Sequence, residues 1–234
     1  MLAILKRELS SYFNSAVAYV VMAVYFFFAG MFFSFICIEN DSSNLSYVYG
    51  NMFVIILFVI PIITMKSFSE EKRQRTDQAL LTSPTSLFEI VMGKFLGGFL
   101  LFFFCSLIFM VFALVISFFT TPDWAVILCT FLGLLLLGAA LIAINVFISV
   151  LTESMVISAV AGMGVGLLIY MLSNLTNYIS VGWIATALSK IDFLTYYTNF
   201  TYGMLNITDI VFFLSVTGLF LFFTARVLEK RRWS

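Results

Sequence analysis

Six long apolar stretches restrict the fold of this chain more than any other feature of its sequence. About 20 mostly apolar residues are enough for a helix to cross the hydrocarbon core of a bilayer. With 62% hydrophobic and only 10% charged residues, the chain has more apolar surface than a soluble fold of 234 residues could bury. The sequence therefore predicts an all-α integral membrane protein with six transmembrane helices. The predicted spans are Ala16–Ile38, Val48–Met65, Phe95–Phe119, Ala125–Val150, Val156–Tyr178 and Ile210–Val227.

The remaining segments are short. No repeat, low-complexity linker or soluble segment divides the chain, so residues 1–234 are expected to form one membrane domain. Before the first span, an apolar stripe at helical spacing consists of Leu2, Leu5, Leu9 and Phe13. Residues 6–8 are charged and lie off this stripe, which predicts a helix lying in the membrane interface. An ordinary polar leader is the alternative.

The distribution of Lys and Arg predicts the orientation. If six spans begin with the N-terminus inside, eleven of these residues fall in cytoplasmic segments and only Lys190 falls outside. By the positive-inside rule, this predicts a multi-pass protein of the cell membrane with both termini in the cytoplasm. The long aromatic connection before the last span is expected to form short external helices, either re-entrant or interfacial.

Several classes of function are excluded or disfavoured by residues that the chain lacks. It has no histidine, which excludes an HExxH protease and a Ser-His-Asp hydrolase. Its three cysteines have no metal-ligand spacing, so no metal site is predicted. No ionisable residue lies near the middle of a span, which argues against a transporter coupled to protons or sodium.

A few polar residues within the spans are candidates for lining a pathway. These are Asn145, Ser149, Ser158 and Asn174. The alternative is that each only forms a hydrogen bond with a neighbouring helix. Pro61, near the inner end of the second span, is expected to kink that helix.

Charge is concentrated in one stretch, KSFSEEKRQRTDQALLTSPTSLFEIVMGK, residues 66–94. Ser67 with Glu70, and Ser86 with Glu89, have the spacing of a capping box. With the turn residue Pro84 between them, they predict a helix over residues 68–81 and a second helix leading into the third span. Charges of both signs alternate on the first helix, which favours electrostatic contact with another protein. A solvated surface helix is the alternative.

The same stretch resembles a known family. PIITMKSFSEEKRQRTDQALLTSPTSLFEIVMGKFLG is similar to the cytoplasmic signature of ABC-2-type transporter permeases, particularly the gliding-motility-type and related bacterial branch. The matching positions are Pro61, Thr64, Met65, Glu70, Glu71, Arg73, Thr76, Leu80, Leu81, Thr82, Pro84, Gly93 and Lys94. FLTYYTNFTYGMLNITDIVFF resembles the external aromatic segment of the family, and VLEKRRW its basic closing helix. The chain departs from the family where Arg75 and Gln78 stand in place of a frequent glycine and glutamate.

The resemblance implies the permease subunit of an ATP-driven transporter that forms its pathway as a dimer and couples to a separate cytosolic ATPase. The residues implied to form the ATPase-coupling loop are Glu70, Glu71, Lys72, Arg73, Arg75, Thr76, Asp77, Leu80, Leu81, Thr82 and Pro84. ATP and Mg²⁺ would bind to the ATPase, because this chain has no G-x-x-x-x-G-K-[ST] loop and is not itself expected to be an enzyme or to bind a cofactor. The glycines at positions 162 and 166 lie in an apolar span and instead predict a helix-packing face.

The substrate and the partners are less defined by the sequence. The apolar helices favour export of a hydrophobic, lipid-like or peptide substrate. The second half of the pathway would be another copy of this chain or a related permease, and a subunit with a large external domain is a further candidate partner. Nucleic acid is not expected to be a partner. The alternatives are a scaffold or regulatory subunit that transports nothing, and a self-sufficient channel, which the apolar helix surfaces disfavour.

Overall fold

The computed structural model describes residues 2–39, 44–74, 86–175 and 190–232, and these residues contain helices but no β-strand. The helices are α1 Leu2–Phe13, α2 Ala16–Phe33, α3 Ser46–Thr64, α4 Ser69–Arg73, α5 Leu87–Ser106, α6 Ile108–Ser117, α7 Trp124–Leu151, α8 Met155–Leu175, α9 Phe193–Thr201 and α10 Ile207–Arg232. A π-helix over Ser34–Glu39 continues α2. In the described part of the chain, six helical segments are long and apolar enough to cross a membrane. The prediction of an all-α protein with six spans is therefore confirmed.

The third span begins earlier than the sequence indicated. Helix α5 starts at Leu87, eight residues before the predicted first residue, and α6 extends the span to Ser117. The start is fixed by Ser86, whose hydroxyl accepts a hydrogen bond of 3.2 Å from the backbone N–H of Glu89. The predicted cap at Ser86 is thus confirmed. The second of the two helices predicted within residues 66–94 is continuous with the third span. As a result, Lys94 lies within a membrane-entering helix.

Helix α7 is the most buried of the six spans and packs against α3, α5, α9 and α10. Two of its glycines allow aromatic rings to approach closely. A Cβ at Gly138 would lie 2.1 Å from Cε1 of Phe102, and a Cβ at Gly133 would lie 2.4 Å from Cβ of Phe200. Neither position could hold a larger residue without displacing a ring, so these two glycines set the spacing between α7 and its neighbours.

Helix α8 packs against α3 through the predicted glycine face. A Cβ at Gly166 would lie 3.2 Å from Cβ of Leu57, and one at Gly162 would lie 3.0 Å from Cβ of Pro61. Small residues at these positions let the two backbones approach, so the predicted packing face is confirmed. Pro61 lies inside α3, near its end, and the kink that it was expected to cause stays a prediction.

The connection between α8 and α10 contains helix α9. Asp192 caps this helix by accepting a hydrogen bond of 3.0 Å from the N–H of Leu194 and one of 2.6 Å from the hydroxyl of Thr195. It also accepts a hydrogen bond from the hydroxyl of Ser173 at the end of α8. The hydroxyl of Tyr197 donates a hydrogen bond of 2.9 Å to the carbonyl oxygen of Tyr49, which fixes α9 to α3. The first part of the predicted external segment, residues 179–189, lies outside the described residues, as do residues 176–178 at the end of the predicted fifth span.

Candidate functional site

The start of α4 is held by a side chain from α7. The hydroxyl of Ser149 accepts hydrogen bonds of 3.0 and 3.1 Å from the backbone N–H groups of Phe68 and Ser69. In turn, the hydroxyl of Ser69 lies 3.1 Å from the carbonyl oxygen of Ser149, to which it donates. Two N–H groups at the helix start are thus satisfied by a residue 80 positions away.

The predicted capping box at Ser67 is wrong. Helix α4 begins at Ser69 after Phe68, with no side-chain cap from its own segment. The hydroxyl of Ser67 is buried and has no hydrogen-bond partner among the described residues. The physical reason is that the helix starts one residue later than the pattern requires, because Phe68 and not Ser67 is the N-cap residue and Ser149 holds the N–H groups of Phe68 and Ser69.

Lys94 is the most buried charged side chain of this region, with only 1% of its side-chain surface exposed. Its Nζ lies 3.0 Å from Oε1 of Glu8 and 3.1 Å from Oε2 of Glu71. It also donates a hydrogen bond to the carbonyl oxygen of Ser67 and lies 4.8 Å from the centre of the Phe68 ring. One ammonium group therefore connects α1, the start of α4 and α5.

Arg7 adds a second cation to the same group. Its Nη2 lies 2.5 Å from Oε1 of Glu71 and 3.3 Å from Oε1 of Glu8. We call Arg7, Glu8, Glu71 and Lys94 the ion cluster. The cluster holds two positive and two negative charges, and this balance offsets the cost of removing Lys94 from water. Such a group is sensitive to the loss of any one member, since the others would then be buried without a counter-charge.

The local sequence explains how α1 reaches Lys94. Glu8 and Tyr12 are four residues apart and share one face of α1, which packs on α5. Gly97, about one turn after Lys94, gives the space for this contact, because a Cβ there would lie 3.0 Å from Cβ of Glu8. The hydroxyl of Tyr12 donates a hydrogen bond of 3.1 Å to the carbonyl oxygen of Ile63, and burial together with the charge of Glu8 raises the pKa of this phenol.

The face of α1 that packs on the bundle is therefore not its apolar stripe. Of that stripe, Phe13 is 37% exposed, whereas the charged residue Glu8 is only 9% exposed. The stripe remains available to the membrane interface, as expected for an interfacial helix. The sequence pattern did not indicate that the face beside the stripe would carry a buried carboxylate.

The predicted coupling residues differ in their surroundings. Glu71 is held inside the chain by the ion cluster. Glu70 and Lys72 are half-buried, and Arg73 is exposed. The others lie outside the described residues, as does the rest of the helix predicted over residues 68–81: Arg75, Thr76, Asp77, Leu80, Leu81, Thr82 and Pro84. Of the four described coupling residues, Arg73 is the one most accessible to a partner.

The four candidate pathway residues do not share one environment. Asn145 is buried, donates a hydrogen bond of 2.8 Å to the carbonyl oxygen of Leu141, and directs its unpaired Oδ1 at Gly162. Ser149 is fully buried and anchors α4. Ser158 is 3% exposed, whereas Asn174 is exposed and bonds to its own helix. Of these four candidates, Asn145 is the one with a buried side-chain acceptor that has no hydrogen-bond partner among the described residues.

Two cavities lie at opposite ends of the bundle. One, of about 340 Å³, is bounded by the ion cluster and the start of α2. The other, of about 830 Å³, opens between the starts of α3 and α7 and helix α9. Its lining combines apolar surface with neutral polar residues such as Asn51, Thr121, Thr130 and Thr198, and Asp123 is the charged residue among the described ones.

Six spans and a short charged helix that is fixed to three of the other helices define a polytopic helical membrane subunit. A profile of the ABC-2 type transporter family matches residues 1–206, which is most of the chain. The protein belongs to the ABC-2 type transporter family, and it is a transmembrane permease rather than the ATPase of such a system. Membership implies that it works in a membrane with an ABC ATPase. A search of curated proteins finds no match to the chain. The gliding-motility-type branch stays a prediction.

Proposed function

We propose that this permease forms, as a dimer with a second copy or a related permease, the membrane pathway of an exporter for a hydrophobic, lipid-like or peptide substrate. The ATPase would bind at the end that carries α1 and α4, which the Lys and Arg distribution assigns to the cytoplasm. The segment over residues 66–94 would carry the motion of the ATPase into the membrane. ATP and Mg²⁺ would be bound by the ATPase alone.

The ion cluster is the observation that carries this proposal. Helix α4 is only five residues long, yet it is tied to α5 and α1 through Glu71 and to α7 through Ser69. A force on α4 would therefore act on an interfacial helix and on two spans at once. A surface helix that only obeys a topology rule needs no such connections, and neither does a flexible linker.

The substrate class is supported by the interior of the bundle. The described spans have no carboxylate or ammonium group near their middle, which suits a substrate that does not need a buried charge to recognise it. The cavity of about 830 Å³ at the other end is lined by apolar surface together with neutral polar residues. Such a lining can accept the polar part of an amphipathic molecule as it leaves the membrane.

The proposal can be tested by reversing two charges of the predicted coupling loop: Arg73, which is exposed at the end of α4, and Arg75. In the double variant Arg73→Glu/Arg75→Glu, we expect the permease to insert normally but to lose its ATPase during purification in mild detergent. ATP-driven efflux from membrane vesicles should fall with it. The matched control is Lys190→Glu, which reverses an exposed charge just before α9, at the opposite end of the bundle, and should leave ATPase recovery unchanged. Normal ATPase recovery and normal efflux in the double variant would refute the proposed docking surface.

The same preparation separates the alternatives. A scaffold subunit would retain the ATPase but give no movement of any hydrophobic probe in vesicles. A channel would pass its substrate without ATP and without the ATPase. Export requires that both ATP and the ATPase be present.

A further inference from the structure

The cavity of about 340 Å³ beside the ion cluster has an unusual set of charges in its wall. It lies between α1, the start of α2, the segment that leads into α4, and α5. Three cations and three carboxylates line it: Arg7, Lys66, Lys94, Glu8, Glu70 and Glu71. Since the formal charge of the lining is zero, the cavity selects neither a simple anion nor a simple cation by net charge alone.

Four of these six groups are already paired with one another in the ion cluster. The other two are Lys66 and Glu70. Nζ of Lys66 donates a hydrogen bond of 3.0 Å to the hydroxyl of Ser15, and Oε1 of Glu70 accepts one of 3.3 Å from Gln74. Neither forms an ion pair within the described part of the chain. One ammonium and one carboxylate thus face the same cavity without a counter-charge.

The rest of the wall fits the boundary between lipid headgroups and acyl chains. Hydroxyl groups of Ser11 and Ser15 lie on the polar side. The apolar side is formed by Val17, Val21 and Leu101, which belong to the first turns of one span and the middle of another. Ser15 is the residue at which the chain passes from the interfacial helix into the first span. A ligand here would have its polar part at headgroup level and its apolar part against α2.

We propose that this cavity binds the headgroup of an aminophospholipid, with the phosphate at Lys66 and the primary ammonium at Glu70. A zwitterionic headgroup satisfies both unpaired charges, whereas a purely anionic lipid would place its phosphate beside Glu70 with nothing to neutralise that carboxylate. The hydroxyls of Ser11 and Ser15 would donate to the phosphate oxygens. A choline headgroup carries the same charges but has no N–H to donate to the carboxylate, so it should bind less well.

The binding site can be tested by native mass spectrometry on the full chain, purified with its ATPase where the two remain together. The protein is placed in nanodiscs that contain equal amounts of phosphatidylethanolamine, phosphatidylglycerol and phosphatidylcholine, and retained lipids are counted on release. We expect one phosphatidylethanolamine retained per permease. Lys66→Gln should lower its retention about tenfold, because it removes the charge-assisted hydrogen bond to the phosphate.

The second variant makes the test specific for a zwitterion. Glu70→Gln should lower retention of phosphatidylethanolamine while raising that of phosphatidylglycerol, because the carboxylate that repels an anionic lipid is gone. The matched controls are Lys6→Gln and Glu153→Gln, two exposed residues that do not line the cavity, and both should retain lipid like the parent protein. The proposal is refuted if the parent retains the three lipids equally, if it prefers phosphatidylglycerol, or if the two controls lose lipid as much as Lys66→Gln does. Because the measurement needs no transport, its failure would leave the proposed export function standing.

Discussion

Replacing Lys94 with methionine would remove the ammonium group of the ion cluster while keeping a side chain of similar length. Glu8 and Glu71, whose side chains are only 11% and 16% exposed, would then have Arg7 as their one cation among the described residues. Two ion pairs of 3.0 and 3.1 Å and the hydrogen bond to the carbonyl oxygen of Ser67 would be lost. The variant therefore leaves two largely buried carboxylates without the ammonium group that pairs with both of them.

The size of the effect follows from these distances. At an effective dielectric constant of about 20, two unit charges 3 Å apart attract by roughly 5 kcal/mol, and desolvation of the groups offsets much of this gain. Removal of one partner from a buried pair typically costs about 3–5 kcal/mol. Arg7 is half-exposed and can still neutralise one carboxylate. We therefore expect a loss near the lower limit, about 3 kcal/mol.

The assay is thermal unfolding of the purified permease in detergent. A loss of about 3 kcal/mol corresponds to a fall in Tm of roughly 6–12 °C for a chain of this size. Lys6→Met, which removes an exposed lysine from α1, should lie within ~0.5 kcal/mol of the parent protein. The triple variant Lys94→Met/Glu8→Gln/Glu71→Gln should recover part of the loss, because no uncompensated carboxylate remains. If Lys94→Met melts with the Lys6→Met control, or if the triple variant melts below Lys94→Met, the reasoning is wrong.

Three further outcomes are expected from local contacts. Ser149→Ala should lower the free energy of unfolding by about 1–3 kcal/mol, because it leaves backbone N–H groups at the start of α4 unpaired. Coupling to the ATPase should weaken more in this variant than in Ser149→Thr, which keeps the hydroxyl. Gly162→Ala should lower Tm, because the added Cβ would lie 2.0 Å from Oδ1 of Asn145. Gly164→Ala should leave Tm unchanged, because no atom lies within 4 Å of a Cβ at that position, and equal Tm values for the two variants would contradict this packing. Asp192→Ala should lower the free energy of unfolding by about 1 kcal/mol because it removes the cap of α9, and unchanged stability would show that the cap is dispensable.

The spans could be predicted because apolar length alone determines them. The prediction was least accurate at Phe95, where the helix in fact begins eight residues earlier. Residues 87–94 include a glutamate and a lysine, so an apolar window does not include them, although Ser86 supplies the cap that starts the helix there. The glycine face of α8 was also predictable, since small residues four apart in an apolar span have few other uses.

The ion cluster was not predicted, because its members are far apart in the sequence. Lys94 and Glu8 are 86 residues apart, and Arg7 and Glu71 are 64 apart. The sequence assigned Lys94 to a cytoplasmic segment and Glu8 to the polar face of an interfacial helix. A weak signal was present in Lys94 and Gly97, since a lone cation about one turn from a glycine at the start of a span marks a place where another helix can approach. It gave no indication of which helix would do so.

The capping error at Ser67 has a similar origin. A capping box is a local pattern, and it forms only when the helix starts at the residue that follows the serine, whereas α4 has Phe68 as its N-cap residue. Ser149 lies at the end of α7, about 80 residues later in the sequence, and its hydroxyl accepts hydrogen bonds from two N–H groups at the start of α4. The sequence had marked Ser149 as a candidate for the pathway, because a serine inside an apolar span invites that interpretation. Its partner could not be identified without the packing of α7 against the end of α3.

The long separation within the ion cluster also has a consequence for how the protein is made. Glu8 leaves the ribosome early, but Lys94 follows 86 residues later, which takes roughly 4–17 s at ordinary rates of synthesis. During that interval the first two spans can enter the membrane while α1 has no ammonium group to bind its carboxylate. Helix α1 must therefore wait at the membrane surface, held by its apolar stripe, until the third span arrives. Assembly of this end of the protein is thus timed by translation of the third span and not by insertion of the first.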